Sequence, residues 1–397
     1  MSGRSRLRGA AEAALLAALT AVTVRGAQPS PPYEKAIERS RALLDEALQL
    51  YPGTSVAVAV GRDVVWSTAF GYADVQRHRA VSRSTQFRIY DVAMPLTAAV
   101  MARLAEEGRL DLDAPIQRYL PGTPGASLPV TARQLAAHLA GVRQLPEIEA
   151  PAPCANARAA AVRLESPVFV RPPGVAFEPS RAGYVLLSAV LEAASGKDFA
   201  ALLSETVAAP ADMPSTLPDD PRRFLPGRTQ FYERGWFGLL SSAREVDTSC
   251  RFGGGGLVST TGDLARFGTA LVSGEILRPE TVRALFTPQR TRAGADTGYG
   301  LGWHVEADSR GRLYVWQGGR GVGGRAAIVI VPHARLVTVM LSNIEGERLD
   351  EHARRIAAIF LESVEASGGA PDVRRATGPP GKTSSPLAFR TLPAPGE

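Results

Sequence analysis

Side chains that could serve as a nucleophile's base are few and widely spaced in this sequence. Lysine occurs only at Lys35, Lys197 and Lys382, and no serine stands three residues before any of them. The five histidines are dispersed, and none begins a His-x-Gly triplet. The sequence also contains neither the GxSxG pattern of serine hydrolases nor the HExxH pattern of zinc peptidases. Since no metal-ligand spacing occurs either, we predict no metal and no cofactor.

The two cysteines are Cys154 and Cys250. Two cysteines cannot form a disulfide framework, although a single bridge is possible if the protein is exported to an oxidising compartment. From the sequence we favour two unpaired thiols.

Two glycine-rich segments resemble phosphate-binding loops only superficially. The segment 319–324 fits GxGxxG, but it precedes a strand-like run instead of opening a helix, which argues against a dinucleotide site. The run 253–256 is more typical of backbone that must pass close to the floor of a site than of a phosphate cradle.

Composition indicates a soluble, folded protein. The chain has 397 residues, of which 45% are hydrophobic and 21% are charged. The net charge of +6 comes almost entirely from arginines that are scattered along the chain, so we predict no nucleic-acid partner. No uninterrupted apolar run of 18 residues follows position 30, so we predict no internal transmembrane helix.

Both ends of the chain differ in character from the rest. Residues 1–27 combine three early arginines with an apolar stretch at 13–24 and small residues that permit cleavage after Gly26. We therefore favour a secretory signal and a periplasmic or extracellular location over a mitochondrial or cytoplasmic one. An ordinary amphipathic helix or a misassigned start codon is the alternative. The Gly-, Pro- and Ser-rich segment 367–397 is predicted to be a disordered tail.

Hydrophobic periodicity and turn residues place strands near both ends of the chain and helices between them. The predicted helices lie near 34–50, 96–108, 182–195, 260–272 and 349–364, and the predicted strands at 54–60, 64–70, 325–332 and 335–343. This order predicts one sheet built from both terminal segments, with a helical region inserted.

The stretch FRIYDVAMPLTAAVMARLAEEGRLDLDAPIQRYLP (87–121) resembles the nucleophile motif and following helix of the serine beta-lactamase and penicillin-binding protein superfamily. The resemblance continues in order to about residue 365, and it looks closest to the mitochondrial serine beta-lactamase-like proteins and their bacterial relatives. It implies an α/β (α+β) fold, an antiparallel sheet flanked by helices with an all-helical insertion. We expect one domain at 28–366, with the sheet region at about 28–120 and 250–366 and the insertion at about 120–250.

In that family a serine attacks a carbonyl group and a lysine one helical turn later takes its proton. A Tyr-x-Asn or Tyr-Ser-x loop supplies a second relay, and a Lys-Thr-Gly or His-x-Gly strand lines the oxyanion hole. Matched residue by residue, the serine position is Asp91 and the lysine position is Met94. The tyrosine and asparagine positions of the loop are Pro179 and Arg181, and the strand element begins at Gln317.

These substitutions remove the chemistry that the family needs, because methionine cannot accept a proton and an aspartate is a fixed anion. We predict no catalytic residue, and a cleft lined by Asp91, Ser180, Arg181, Gln317, Gly318, Gly319 and Arg320. The leading hypothesis is a non-catalytic homologue whose cleft binds a ligand or protein partner, or mediates assembly into a homo-oligomer. The alternatives are an active peptidase, esterase or beta-lactamase-like hydrolase that uses unorthodox residues, and a structural, self-associating protein.

A carboxylate at a helix start in a partly buried cleft is costly unless it is paired. We therefore predict that Asp91 lies within salt-bridge or one-water reach of Arg181 or Arg320. The alternative is that Asp91 only caps its helix. Ser180 is expected to be a structural hydroxyl, and His138 to make a local hydrogen bond.

Overall fold

Strands from the two ends of the chain meet in one sheet. The computed structural model describes residues 31–48, 51–121, 129–144, 153–164, 168–220, 222–235, 238–346 and 349–368. The predicted signal at 1–27 lies outside these residues, as does all of the predicted tail at 367–397 except residues 367 and 368. The strands are β1 (Gly53–Val60), β2 (Asp63–Asp74), β3 (Arg79–Ala80), β4 (Phe87–Arg88), β5 (Leu217–Pro218), β6 (Tyr232–Arg234), β7 (Leu240–Ser242), β8 (Leu257–Ser259), β9 (His304–Ala307), β10 (Leu313–Gly321), β11 (Gly324–Val331) and β12 (Leu336–Ser342).

Within the described residues, seven of these strands form an antiparallel sheet in the order β3-β2-β1-β12-β11-β10-β9. N-terminal β1 pairs with C-terminal β12, and Thr54 lies opposite Ser342. The fold is therefore the mixed helix and antiparallel-sheet class that the order of the elements predicts. Strands β4, β8 and β5 form a second, small sheet beside it, and β6 pairs with β7.

Alternation of side chains along the strands gives the main sheet two apolar faces. In β1, Val56 and Val58 belong to one buried cluster, whereas Ala57 and Ala59 belong to another. Successive strand residues point to opposite faces, so a continuous apolar run such as this one must be covered on both sides.

Helices supply both covers. The helices are α1 (Glu34–Leu48), α2 (Ala93–Glu106), α3 (Ala132–Ala136), α4 (Ala157–Val162), α5 (Arg181–Ser195), α6 (Phe199–Leu203), α7 (Thr261–Val272), α8 (Pro279–Leu285) and α9 (Leu349–Ala366). Helices α1 and α9 pack on the face of Val56, and α2, α5, α7 and α8 contribute to the cluster on the opposite face. None of the helices in the described part of the chain combines the length and the apolar character of a membrane span.

The predicted helices and strands are present, and their ends differ by a few residues. Helix α2 begins at Ala93 instead of residue 96. Pro95 therefore lies at the third position of the helix. It is tolerated there because an N–H at this position would have no partner within the helix. The region 120–250 is not all helical, since it also holds β5, β6 and β7. One of these strands, β6, is held beside the main sheet, since the N–H of Tyr232 donates to the carbonyl of Asn343 directly after β12.

The expectation of two unpaired thiols is wrong. Cys154 and Cys250 form a disulfide, with their Cα atoms 5.1 Å apart. The bridge joins the segment before α4 to the segment before β8, and it lies in a small buried cluster with Ala160 and Val185. A separation of 96 residues in the sequence carries no information about this proximity, which depends on how α4 packs against α5.

Candidate active-site cleft

Asp91 lies in a tight turn that leads from β4 into α2. The turn Tyr90–Val92 is a single 3-10 turn, and Tyr90 adopts a left-handed backbone with a φ of 45°. A non-glycine residue in this conformation is uncommon and needs support from its surroundings. Tyr90 is fully buried, and its hydroxyl donates to the carbonyl of Val322 at 2.7 Å. The turn that presents Asp91 is therefore fixed to the hairpin between β10 and β11.

Arg181 forms a two-pronged ion pair with Asp91. Its Nε lies 2.5 Å from Oδ1 and one terminal nitrogen lies 2.9 Å from Oδ2. That nitrogen also donates to the carbonyl of Arg320 at 2.5 Å. The side chains of Asp91 and Arg181 are 19% and 23% exposed, so much of the pair is shielded from water. The predicted pairing of Asp91 with an arginine is confirmed, and the capping-only alternative is wrong.

Strand β10 contributes backbone to the cleft more than side chains. A Cβ at Gly319 would lie 2.6 Å from the carbonyl oxygen of Ile89 and 2.7 Å from the backbone nitrogen of Asp91, so only glycine permits this contact. Gly318 faces the opposite side of the sheet, where a Cβ would meet Asp350, so its predicted place in the cleft is wrong. The alternation of the strand explains this, because neighbouring residues cannot share a face.

The side chain of Arg320 lies on the same face of β10 as Gly318, so its predicted place in the cleft is also wrong. It is exposed and makes no hydrogen bond or ion pair to any residue that the structure describes. Of the two arginines predicted as partners of Asp91, only Arg181 binds the carboxylate through its side chain. Arg320 instead supplies its carbonyl oxygen to the guanidinium of Arg181.

The residue matched to the family's lysine, Met94, is buried. Met94 is 3% exposed and belongs to the apolar cluster beneath the sheet, and Gly302 packs against its backbone carbonyl. The thioether offers no group that could take a proton from a neighbour. Pro179, at the position of the family's tyrosine, is exposed and has no hydroxyl.

Aromatic rings fill the space behind Gln317. The buried Gln317 accepts a hydrogen bond from the hydroxyl of Tyr299 at 3.2 Å. The ring of Tyr299 lies 5.0 Å from that of His138 and 5.3 Å from that of Phe177, measured between centroids. Burial raises the pKa of Tyr299, so its hydroxyl keeps its proton and acts as a donor.

Sequence reasoning did not identify Tyr299 or Phe177 as residues of this site. The only signal was that both lie in stretches that resemble the family, 298–305 and 172–199. Which of their neighbours they would touch could not be known without the fold.

Ser180 and His138 hold the start of α5. The hydroxyl of Ser180 accepts from the N–H of Gly183 at 3.1 Å and donates to the carbonyl of Arg143 at 3.0 Å. The Nδ1 of His138 accepts from the backbone N–H of Ser180 at 3.2 Å. Both predicted structural roles are confirmed, and together these contacts place Arg181 at the first position of the helix.

The pH dependence of stability should report on His138. Burial lowers the pKa of His138 from its ordinary value of 6.5 to about 3. The unfolded chain therefore binds a proton at higher pH than the folded protein. The stability contributed by the neutral ring is present above about pH 6.5 and is lost, at about 1.4 kcal/mol per pH unit, as the pH falls toward 3. Urea unfolding at several pH values should show this slope. His138→Asn should remove the part of the slope that comes from protonation of His138.

Asparagine suits this test because His138 has a φ of 57°, a left-handed conformation that asparagine tolerates. His78 is exposed and has a φ of 51°, so His78→Asn is the matched control and should leave the slope unchanged. An equal slope in wild type and His138→Asn would contradict the assignment.

Comparison with known proteins places this geometry in a family. The beta-lactamase family model matches residues 41–361, which include the Asp91 turn, α5 and β10. The chain belongs to the beta-lactamase family. The serine beta-lactamase-like protein LACTB, mitochondrial, of Homo sapiens is 26% identical, and the match covers 84% of this chain and 82% of that protein. Penicillin-binding protein 4* of Bacillus subtilis (strain 168) is 29% identical, covering 75% and 70%.

Solved structures of the same fold agree with this family assignment. The octameric penicillin-binding protein homologue from Pyrococcus abyssi superposes with a TM-score of 0.70 at 22% identity, covering 82% of this chain and 77% of that one. The D-amino acid amidase from Ochrobactrum anthropi SV3 superposes with a TM-score of 0.71 at 21% identity, covering 85% and 100%. At these identities the likeness establishes the fold.

The arrangement around Asp91 pairs opposite charges. Both carboxylate oxygens accept from Arg181, and Met94 cannot act as a base. No group of three or more His, Cys, Asp or Glu side chains placed to hold a metal ion occurs in the part of the chain that the structure describes.

Proposed function

We propose that this protein is a non-catalytic member of the beta-lactamase family whose cleft serves as a binding or assembly surface in the cell envelope. The observation that supports this most directly is the fork of Arg181 on Asp91. It satisfies both oxygens of the side chain at the nucleophile position. A carboxylate held in this way would have to break two charge-assisted hydrogen bonds before it attacked a carbonyl group.

The location in the cell envelope rests on two features. Residues 1–27 have the composition of a secretory signal. The disulfide between Cys154 and Cys250 adds support, because such bonds persist in oxidising compartments and are rare in reducing ones.

Covalent labelling tests the loss of catalysis. A penicillin or fluorophosphonate probe is expected to leave the intact mass of the protein unchanged, because no serine has a base in the motif positions. Penicillin-binding protein 4* of Bacillus subtilis, treated in parallel with the penicillin, is the positive control. A stoichiometric adduct on any serine would refute the proposal.

The double variant Asp91→Ser, Met94→Lys sharpens this experiment. It is expected to remain unlabelled, because Pro179, Arg181 and Gln317 still occupy the other motif positions. Catalytic groups act as a unit, so restoring part of a set recovers little of the activity. Rapid labelling of the double variant would show that the loop and strand elements remain competent.

A further inference from the structure

A cavity lies outside the cleft. Its volume is about 250 Å³, and it lies between the segment around α3 and the residues that follow α8. None of the residues assigned to the cleft lines it. A ligand site here would therefore be independent of the proposed function.

The polar lining of this cavity has an excess of positive charge. Three arginines face one carboxylate, that of Asp113. Arg133 takes both oxygens of Asp113, at 2.7 and 2.8 Å. Arg290 donates to the carbonyl of Gly294 at 2.9 Å and lies 3.4 Å from Asp296. Arg292 is exposed to solvent and makes no side-chain hydrogen bond or ion pair to any described residue, so its guanidinium is available to a ligand.

Arg292 is nevertheless held in place at its base. Its backbone N–H donates to the carbonyl of Gly174 at 2.7 Å. Gly174 has a φ of 81°, and a Cβ there would lie 2.8 Å from Cγ of Arg292. The arginine stem therefore lies directly on the glycine, and a larger residue at 174 would displace it.

The rest of the lining combines free amide groups with an apolar patch. The amide nitrogen of Gln134 and the amide oxygen of Gln289 have no partner among the described residues, although the opposite end of each amide is engaged. The apolar part is small and comes from Leu139, which is 5% exposed. Such a lining suits a ligand with one anionic end and an aliphatic body.

We propose that this cavity binds a small organic carboxylate, with its carboxylate on Arg292 and its aliphatic part against Leu139. The volume is below the usual range for ligands of drug size, so the ligand has roughly the dimensions of a short branched acid or an amino acid. Inorganic phosphate would leave the apolar patch uncovered.

Calorimetric titration of the full-length protein with 4-methylpentanoate tests this proposal. Saturable binding is expected, and the neutral amide of the same shape, 4-methylpentanamide, should bind at least about tenfold more weakly because it lacks the charge that Arg292 recognises. Inorganic phosphate should bind more weakly than the acid. Equal binding of acid and amide, tighter binding of phosphate, or no binding at concentrations on the order of ten millimolar would overturn the proposal.

Variants assign the binding to the residues named. Arg292→Ala should weaken 4-methylpentanoate by about tenfold or more, and Arg292→Lys should keep part of the affinity. Gly174→Ala should also weaken it, because the added methyl group displaces the arginine stem. Arg283→Ala changes an exposed arginine on α8 that does not line the cavity, and it should bind as wild type does. Wild-type affinity in Arg292→Ala would overturn the assignment.

Discussion

Removal of the Cys154–Cys250 bridge is expected to lower the free energy of unfolding by about 2–5 kcal/mol. The bond closes a loop across 96 residues that contains α4, α5 and α6. A long closed loop restricts the unfolded chain strongly, which is the main source of the stabilisation in the chain-entropy account. The test is urea unfolding of the oxidised protein, the reduced protein and the double variant Cys154→Ser, Cys250→Ser.

The double variant also provides the control for reductant. Reduced wild type should unfold near the same urea concentration as the double variant, and reductant should not change the double variant at all. A double variant as stable as oxidised wild type would contradict a stabilising role for the bridge.

Arg181→Ala is expected to lower the free energy of unfolding by about 1–3 kcal/mol, since it leaves the Asp91 carboxylate in a largely shielded site without its partner. The variant also removes the hydrogen bond that joins α5 to the carbonyl of Arg320. If the stranded charge is the cause, Asp91→Asn combined with Arg181→Met should be more stable than Arg181→Ala alone. Urea unfolding of the variants measures both effects.

Arg133 provides a matched control for this experiment. It binds Asp113 with the same two-pronged geometry, at 2.7 and 2.8 Å, and it is 20% exposed, but the side chain of Asp113 is 59% exposed. Water can solvate this carboxylate when its partner is removed, so Arg133→Ala should shift the unfolding midpoint much less than Arg181→Ala does. Equal, small shifts in the two variants would show that the pair at Asp91 does not stabilise the cleft.

The sequence contained enough information for the fold and for the convergence of the main cleft elements. Apolar alternation at 54–60 and 335–343 predicts buried strands, and the structure pairs them as β1 and β12. The resemblance to the family indicates which elements meet, and this is why Asp91 and Arg181 could be placed together from residues 90 positions apart.

The sequence did not predict which side chains contact each other within the cleft. Arg181 and Arg320 were equal candidates for Asp91, and the outcome depends on Ser180 and His138, which fix the first residue of α5. The aromatic packing behind Gln317 and the disulfide likewise depend on tertiary distances. Neither the spacing nor the composition of the chain encodes those distances.

The pairing of β1 with β12 has a consequence for how the chain is made. During synthesis β1 and β2 are complete early, but the second partner of β1 begins only at Leu336. Until then one edge of the hairpin remains unpaired, and its residues between Val56 and Val60 are all valine or alanine. Such an edge is a template for pairing with other chains, and contacts between distant parts of a sequence form slowly. In the nascent protein the first strand therefore stays unpaired on one edge until the last strand has been made. A chain that ends before Leu336 would leave the ribosome with this edge exposed and prone to pair with other chains.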